Sequence, residues 1–397
     1  MMAFTSPAKE TTLILILGAL MAFTSLSTDI YLPAMPQMSQ DLRGNAELTV
    51  TGFLIGFAIA QLFWGPVSDR IGRKLPLYAG MVLFALGSAG CALSDGIGEI
   101  MFWRVFQAVG ACTAPMLARA MIRDLYGQTR AAQMLSTLTL IVAVAPIVGP
   151  LLGGQLIRFS TWHAIFWLLA AVGVLMFAAL VKLPETHPLE KRSNESLWHA
   201  FAAYGSLLKN KAYMRYVMCV TLFYVSAYAF IIGSPFVYID YFGIDPQHYG
   251  WLFALNIVGL MGVSAANRRL VGRYRLDTLI RAATAVAAVA GIVLAVCAYS
   301  GFGGIYGIIL PVLVFFATNG IIAACTTAAA LDGVPQIAGS ASALLGSLQY
   351  GSGIVSSLLL AALSDGTPHA MALIIALFGI GSMAMAFLPS AAAGKRK

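Results

Sequence analysis

Apolar windows long enough to cross a bilayer recur twelve times along this 397-residue chain. Bounded by charges or by Pro, Gly and Asn clusters, they run near residues 11–35, 49–68, 75–94, 98–118, 133–157, 162–183, 212–239, 248–267, 277–299, 304–328, 338–363 and 369–388. Hydrophobic residues make up 59% of the chain and charged residues 10%, against the roughly 25% charged of soluble proteins. The expected fold class is therefore an all-α membrane protein with twelve transmembrane helices. The tenth window contains Pro311 and Gly320, which interrupt its pattern.

An even number of spans puts both termini on one side. Placing the odd-to-even loops on the cytoplasmic face collects all but three of the 24 Lys and Arg there, the exceptions being Arg43, Arg104 and Arg158. Both termini are thus predicted to be cytoplasmic. The net charge of +8 reads as a topology signal with contact to anionic membrane lipid, not as nucleic-acid binding. The first window carries Asp29 and runs into Pro33 and Pro36 without a small-x-small cleavage pattern, so it reads as a retained helix and not a signal peptide. Five cysteines lie singly in apolar segments, without metal spacing. Neither a metal nor a cofactor is expected.

Asp29 is the one charge between Thr11 and Gln40. A carboxylate inside a spanning segment costs roughly 3 kcal/mol unless it is neutralised or faces water, which makes it a functional-site candidate. Arg104, in the fourth window, is its counterpart. Each lies about six residues inside the outer end of its helix, roughly 9 Å deep at 1.5 Å per residue. Equal depth permits coupling, and equally a structural salt bridge.

The longest polar stretch divides the chain into an N-terminal half (1–183), a linker (184–211) and a C-terminal half (212–397). Within the linker, 197–208 reads either as a short amphipathic surface helix or as a plain tether. A weak repeat relates the halves: Gly65, Asp69, Gly72 and Arg73 after the second window match Ala265, Arg269, Gly272 and Arg273 after the eighth. Such duplication suits a transporter whose halves rock about a central site.

Four motifs sharpen this. Gly65-Pro66-Val67-Ser68-Asp69-Arg70-Ile71-Gly72-Arg73-Lys74 fits a tight gating loop, with Gly65 permitting close helix approach, Gly72 permitting a turn, and Asp69 accepting bonds from Arg73 or a helix N-terminus. In the fifth window, Ala145-Pro146-Ile147-Val148-Gly149-Pro150-Leu151-Leu152-Gly153-Gly154 predicts a kinked, closely packed helix at the interface between halves. Arg104 opens Arg104-Val105-Phe106-Gln107-Ala108-Val109-Gly110-Ala111, and Asp29 lies in Ser27-Thr28-Asp29-Ile30-Tyr31-Leu32-Pro33-Ala34-Met35-Pro36.

The first of these resembles the cytoplasmic loop motif of the major facilitator superfamily, G-x-x-x-D-R-x-G-R-R/K, at every fixed position. The second resembles the superfamily's antiporter motif ending G-P-x-x-G-G, with Ser136 and Ala145 replacing two upstream glycines. The Arg104 segment is similar to R-x-x-Q-G-x-G-A, with Ala108 for the first Gly, and the Asp29 segment closely resembles the bicyclomycin-resistance (Bcr/CflA) subfamily of drug:proton antiporters. Further matches include Arg123-Asp124-Leu125-Tyr126, Leu183-Pro184-Glu185-Thr186 and Ser234-Pro235-Phe236-Val237-Tyr238. The resemblance implies the superfamily fold, residence in a bacterial inner membrane, and multidrug efflux of small hydrophobic antimicrobials of the bicyclomycin or chloramphenicol type, driven by protons.

On that reading Asp29 carries the proton, and Arg104 tunes it or meets substrate. Tyr31, Gln61, Tyr224, Tyr228, Tyr238, Asn256, Asn319 and Gln349 are the candidate substrate-binding residues, each equally able to be a packing or lipid-facing position. Partners are a small hydrophobic drug, protons and membrane lipid, and the expected state is a monomer. Export of a small metabolite such as an amino acid, and uniport or symport by the same fold, are the rival readings. No cluster of His, Asp and Glu, and no nucleophile beside a base, lies at membrane depth to suggest an enzyme.

Overall fold

The computed structural model describes residues 7–126, 128–192 and 197–388, and among these it contains helices and no strand. The helices are α1 (Pro7–Asp29), α2 (Met35–Asp41), α3 (Glu47–Ile71), α4 (Lys74–Ala92), α5 (Ile97–Leu125), α6 (Gln128–Phe159), α7 (Trp162–Ala179), α8 (Leu197–Lys209), α9 (Lys211–Pro235), α10 (Pro246–Leu270), α11 (Leu276–Ser300), α12 (Tyr306–Ala317), α13 (Asn319–Asp332), α14 (Ala338–Leu363) and α15 (His369–Phe387). They supply twelve segments long and apolar enough to cross a membrane, as the sequence predicts. In a bilayer every backbone polar group must be satisfied within its own segment, which is why the chain spends itself on helices.

Three spans depart from simple rods. The first is broken between α1 and α2 by a turn at Ile30 and Tyr31 and a 3-10 turn over Leu32–Ala34. Pro33 has no N–H to offer the carbonyl of Asp29, so the α-helical ladder ends there. The seventh span runs from α9 into a π-helical stretch, Phe236–Tyr241, after Pro235. The tenth is two helices meeting at Thr318, a break within the window that Pro311 and Gly320 already marked as interrupted.

The chain forms two compact units, residues 1–197 and 198–397. In the first, α5 packs against α3, α4 and α1, while α6 lies along α1 and α7 along α4. In the second, α9 packs against α13, α14 and α15, and α11 against α12 and α15. Residues 193–196 of the predicted linker lie outside the described residues. The 197–208 segment is helical, as α8, with Tyr204 and Leu207 buried.

Candidate functional site

Asp29 is the last residue of α1, not a residue well inside a continuous helix as the apolar window suggested. It is buried, and Thr28 Oγ1 donates a hydrogen bond to its carboxylate at 2.9 Å. Arg104, on α5, is fully buried. Its Nη1 donates to the carbonyl of Ser27 at 3.3 Å and to Gln107 Oε1 at 2.6 Å, and its Nε donates to the carbonyl of Thr49 at 3.4 Å. Gln107 in turn donates to Ser88 Oγ at 2.7 Å, which donates to the carbonyl of Phe84. The guanidinium lies over the rings of Tyr31 at 4.4 Å and Phe53 at 4.6 Å. Arg suits this sandwich, since its planar and weakly hydrated cation stacks on aromatic faces.

Among the described residues, Asp29 and Arg104 form no ion pair with each other or with any other side chain. They are joined through the backbone instead, because Arg104 holds the carbonyl two residues before Asp29. Arg104 Nη2 and the buried Tyr31 hydroxyl have no hydrogen-bond partner among the described residues. Polar capacity is thus left over beside the α1 break.

The glycine-rich segment of α6 packs onto this break. A Cβ on Gly149 would stand 3.3 Å from both Asp29 Cβ and Ile30 N, and one on Gly153 would run into the Ile30 carbonyl oxygen. Pro146 and Pro150 sit inside α6, and Gly154 is buried beside Gly153. The antiporter-like motif therefore meets, within one unit, the segment that carries Asp29.

At the other end of α3, the gating loop is closed by carboxylates from three places in the chain. Arg73 pairs with Asp69 at 2.6 Å and with Asp124, at the end of α5, at 3.0 Å, and it also donates to Ser68 Oγ. Glu185, following α7, accepts the backbone N–H groups of Arg73 and Lys74 at 2.9 and 3.0 Å. Thr186 donates to Asp124 at 3.1 Å. Burial pushes the Glu185 carboxyl up, but the N–H groups of Arg73, His187 and Lys74 and the nearby Arg192 outweigh it and hold the group below its ordinary value. Gly72 has φ of 96°, and a Cβ there would meet Arg192 Nη2 and Glu185 Oε2 at 2.7 Å. Only glycine suits both conditions. Arg70 is exposed. Gly65 corrects the expectation of close approach: a Cβ there meets no atom within 4 Å.

The remaining predicted residues divide between the units. Gln61 lies in the first, its Oε1 unpartnered among the described residues. In the second, the Tyr224 hydroxyl of α9 lies close to the amides of Asn319, at the α12–α13 break, and Gln349 of α14. Tyr228 lies one turn further along α9, its ring 6.1 Å from that of Tyr224. Tyr238, in the π-helical stretch, is buried against Tyr249 and Phe230. Asn256 is buried, its Nδ2 bound to the Leu252 carbonyl and its Oδ1 unpartnered among the described residues, as is the Tyr238 hydroxyl. Tyr224, Asn319 and Gln349 are brought together, whereas Tyr31 and Gln61 belong to the other unit.

Three acids of note were not singled out as site residues from the sequence. Asp124 and Glu185 appear there only as parts of subfamily matches. Glu47, the first residue of α3, is buried although it falls just outside the second apolar window. Among the described residues it makes no ion pair. Its only sequence signal is an acid two residues before an apolar run.

The pattern of the Major Facilitator Superfamily matches residues 15–357. The chain belongs to that superfamily. It is therefore a multi-pass membrane transporter and not an enzyme. An uncharacterized MFS-type transporter of Bacillus subtilis is 36% identical over 84% of this chain and 84% of its own length. The bicyclomycin resistance protein homolog of Haemophilus influenzae is 32% identical over 90% of this chain and 91% of its own, in keeping with the Bcr/CflA subfamily. Among solved superfamily structures, the Escherichia coli xylose transporter shares the fold with a TM-score of 0.71 at 14% identity, covering 96% of this chain and 98% of its own.

Proposed function

We propose that this superfamily transporter is a drug:proton antiporter of the bacterial inner membrane. It would export small hydrophobic antimicrobials by alternating access, as a monomer with both termini cytoplasmic and with residues 184–211 as a cytoplasmic linker between six-helix halves. The observation that carries the reading is Asp29, a buried carboxyl without a cationic partner among the described residues, placed where α1 breaks and against the antiporter-like glycines of α6. A carboxyl held in apolar surroundings is cheap when protonated and costly when ionised, so a change in its exposure to water drives proton uptake and release. The α1 break supplies the moving part, since a non-helical segment packed on small residues can rearrange without unfolding a whole span. Arg104, anchored on Ser27 and Thr49, would set the position of that break. The relative from Haemophilus influenzae, named for bicyclomycin resistance, supports the cargo class.

The chain has no G-x-x-x-x-G-K-[ST] loop, which favours an ion gradient as the energy source. Growth of drug-challenged cells expressing the protein tests this, with and without a protonophore. Resistance that vanishes with the gradient is expected. Efflux that survives its collapse would defeat the coupling, and gradient-dependent uptake of a nutrient would favour a symporter.

A further inference from the structure

Four arginines crowd the junction of α10 and α11: Arg268 and Arg269 in the last turn of α10, and Arg273 and Arg275 in the connecting turn. All four are exposed, and among the described residues none of the guanidiniums has a hydrogen bond or an ion pair. The turn is tight, with the N–H groups of Arg273 and Tyr274 both donating to the Leu270 carbonyl at 2.9 Å. Four like charges are therefore held within eight residues, and an outside anion would lower their mutual repulsion beyond what water and salt screen.

The matching loop of the first half shows what is missing. There Arg73 is consumed by Asp69 and Asp124, and Glu185 takes the loop's N–H groups. At the position of Asp69 the second half has Arg269, and the nearest acid along the chain, Asp277, is already engaged by Arg215 at 3.2 Å and by the Tyr216 hydroxyl at 3.0 Å. Val271 and Tyr274, 45% and 55% exposed, flank the cations at the end of a membrane-crossing helix. Tyrosine beside arginine at that level is the composition of a segment that rests in the headgroup layer.

We infer that the α10–α11 turn is a binding site for the phosphate headgroups of anionic membrane lipid. Arg268, Arg269, Arg273 and Arg275 embrace the phosphates, and Tyr274 and Val271 dip toward the acyl boundary. The proposed orientation determines only which leaflet supplies the lipid, the cytoplasmic one.

Native mass spectrometry of the purified protein with phosphatidylglycerol or phosphatidylcholine tests the site. The wild type should retain phosphatidylglycerol in preference. A variant with Arg268→Gln, Arg269→Gln, Arg273→Gln and Arg275→Gln should lose that preference by about tenfold or more, given the contribution expected per basic residue near a membrane surface. A control with the same loss of charge elsewhere (Arg119→Gln, Arg123→Gln, Lys209→Gln and Lys211→Gln) should keep it. Equal retention by the first variant, or equal loss in the control, overturns the site. If the fourfold variant does not fold, the pairs Arg268→Gln/Arg269→Gln and Arg273→Gln/Arg275→Gln must each weaken retention, and two unaffected pairs overturn the site as well. Displacement by millimolar inorganic phosphate alone would mark a free-anion site and overturn the lipid assignment. Labelling a Gly272→Cys variant from either side of the membrane reads the orientation separately, so a reversed topology moves the site to the other leaflet without abolishing binding.

Discussion

Gly149 backs directly onto Asp29: a Cβ at the glycine would sit 3.3 Å from the Cβ of the acid. One turn on, Gly153 faces the Ile30 carbonyl so closely that no side chain fits. The α6 motif thus acts on the proposed proton carrier by steric fit, and its two glycines differ in how much they tolerate. Gly149→Ala should fold, because the contact asks only a small shift of its neighbours and alanine favours the helix, and should slow turnover by shifting the α1 break. Gly153→Ala should lose most of the folded protein. Thermal melts of the two variants in detergent, beside transport in vesicles, check the ranking, and equal stability would show that the α1–α6 contact is softer than drawn.

Asp29→Asn should abolish proton-coupled efflux while leaving the protein inserted and its melting point within a few degrees of wild type. Arg104 is held by carbonyls and Gln107, not by Asp29, so removing the carboxylate strands no buried cation. A large drop in melting temperature would reveal a coupling that the geometry lacks. Arg104→Gln should be the more destabilising change, since it removes the stacked cation and the donors that reach Ser27, Thr49 and Gln107 in a buried site.

The cytoplasmic cluster makes a pH prediction. Glu185 is held below its ordinary value, so in the folded state it binds its proton less readily than in the unfolded chain. Its contribution to stability is present above the unfolded value of 4.5 and is lost as pH falls through the lower folded value. Glu185→Gln should therefore lower the melting point at pH 7, and the difference should shrink at a second, acidic pH, as the wild type loses the same contribution. Melts at the two pH values decide it, and a pH-independent difference would mean that the effect is packing alone.

Gly65 tests whether this loop works in more than one arrangement. Its surroundings are open, so Gly65→Val should fold with little penalty beyond ordinary helix propensity. Transport should nevertheless fall severalfold, because a close helix contact at Gly65 would be needed only in the opposite state of the cycle. Unchanged transport would remove Gly65 from the gate.

Much of this was readable from the residues. A charge inside an apolar run announces itself, so Asp29 and Arg104 stood out, and the missing N–H of Pro33 accounts for the break after Asp29. What the sequence does not carry is convergence across distance. Arg73 meets Asp124 and Glu185 from positions 51 and 112 residues away, a meeting that local pattern cannot encode. Tyr224, Asn319 and Gln349 could be named as polar residues in apolar helices, but their meeting depends on the helix break at Thr318. Glu47 is not legible in the sequence, because a window cut at the edge of hydrophobicity discards an acid that the fold then buries.

Glu47 gives the sharpest control on the proposed mechanism. It and Asp29 are both buried acids, and each lies two residues from a carbonyl that Arg104 holds, Thr49 in one case and Ser27 in the other. Their helix positions differ in sign. Glu47 opens α3, where the positive end of the helix dipole supports a carboxylate, and Asp29 closes α1, where no such support exists. Glu47→Gln should accordingly leave both stability and drug-driven proton movement near wild type, since burial opposes the charge that the dipole supports. Asp29→Asn should abolish the movement. Reconstituted vesicles carrying a pH-sensitive dye, run beside melts of the same preparations, separate the two. Loss of proton movement in Glu47→Gln with a wild-type melt would make Glu47 a second proton carrier and end the assignment of coupling to Asp29 alone.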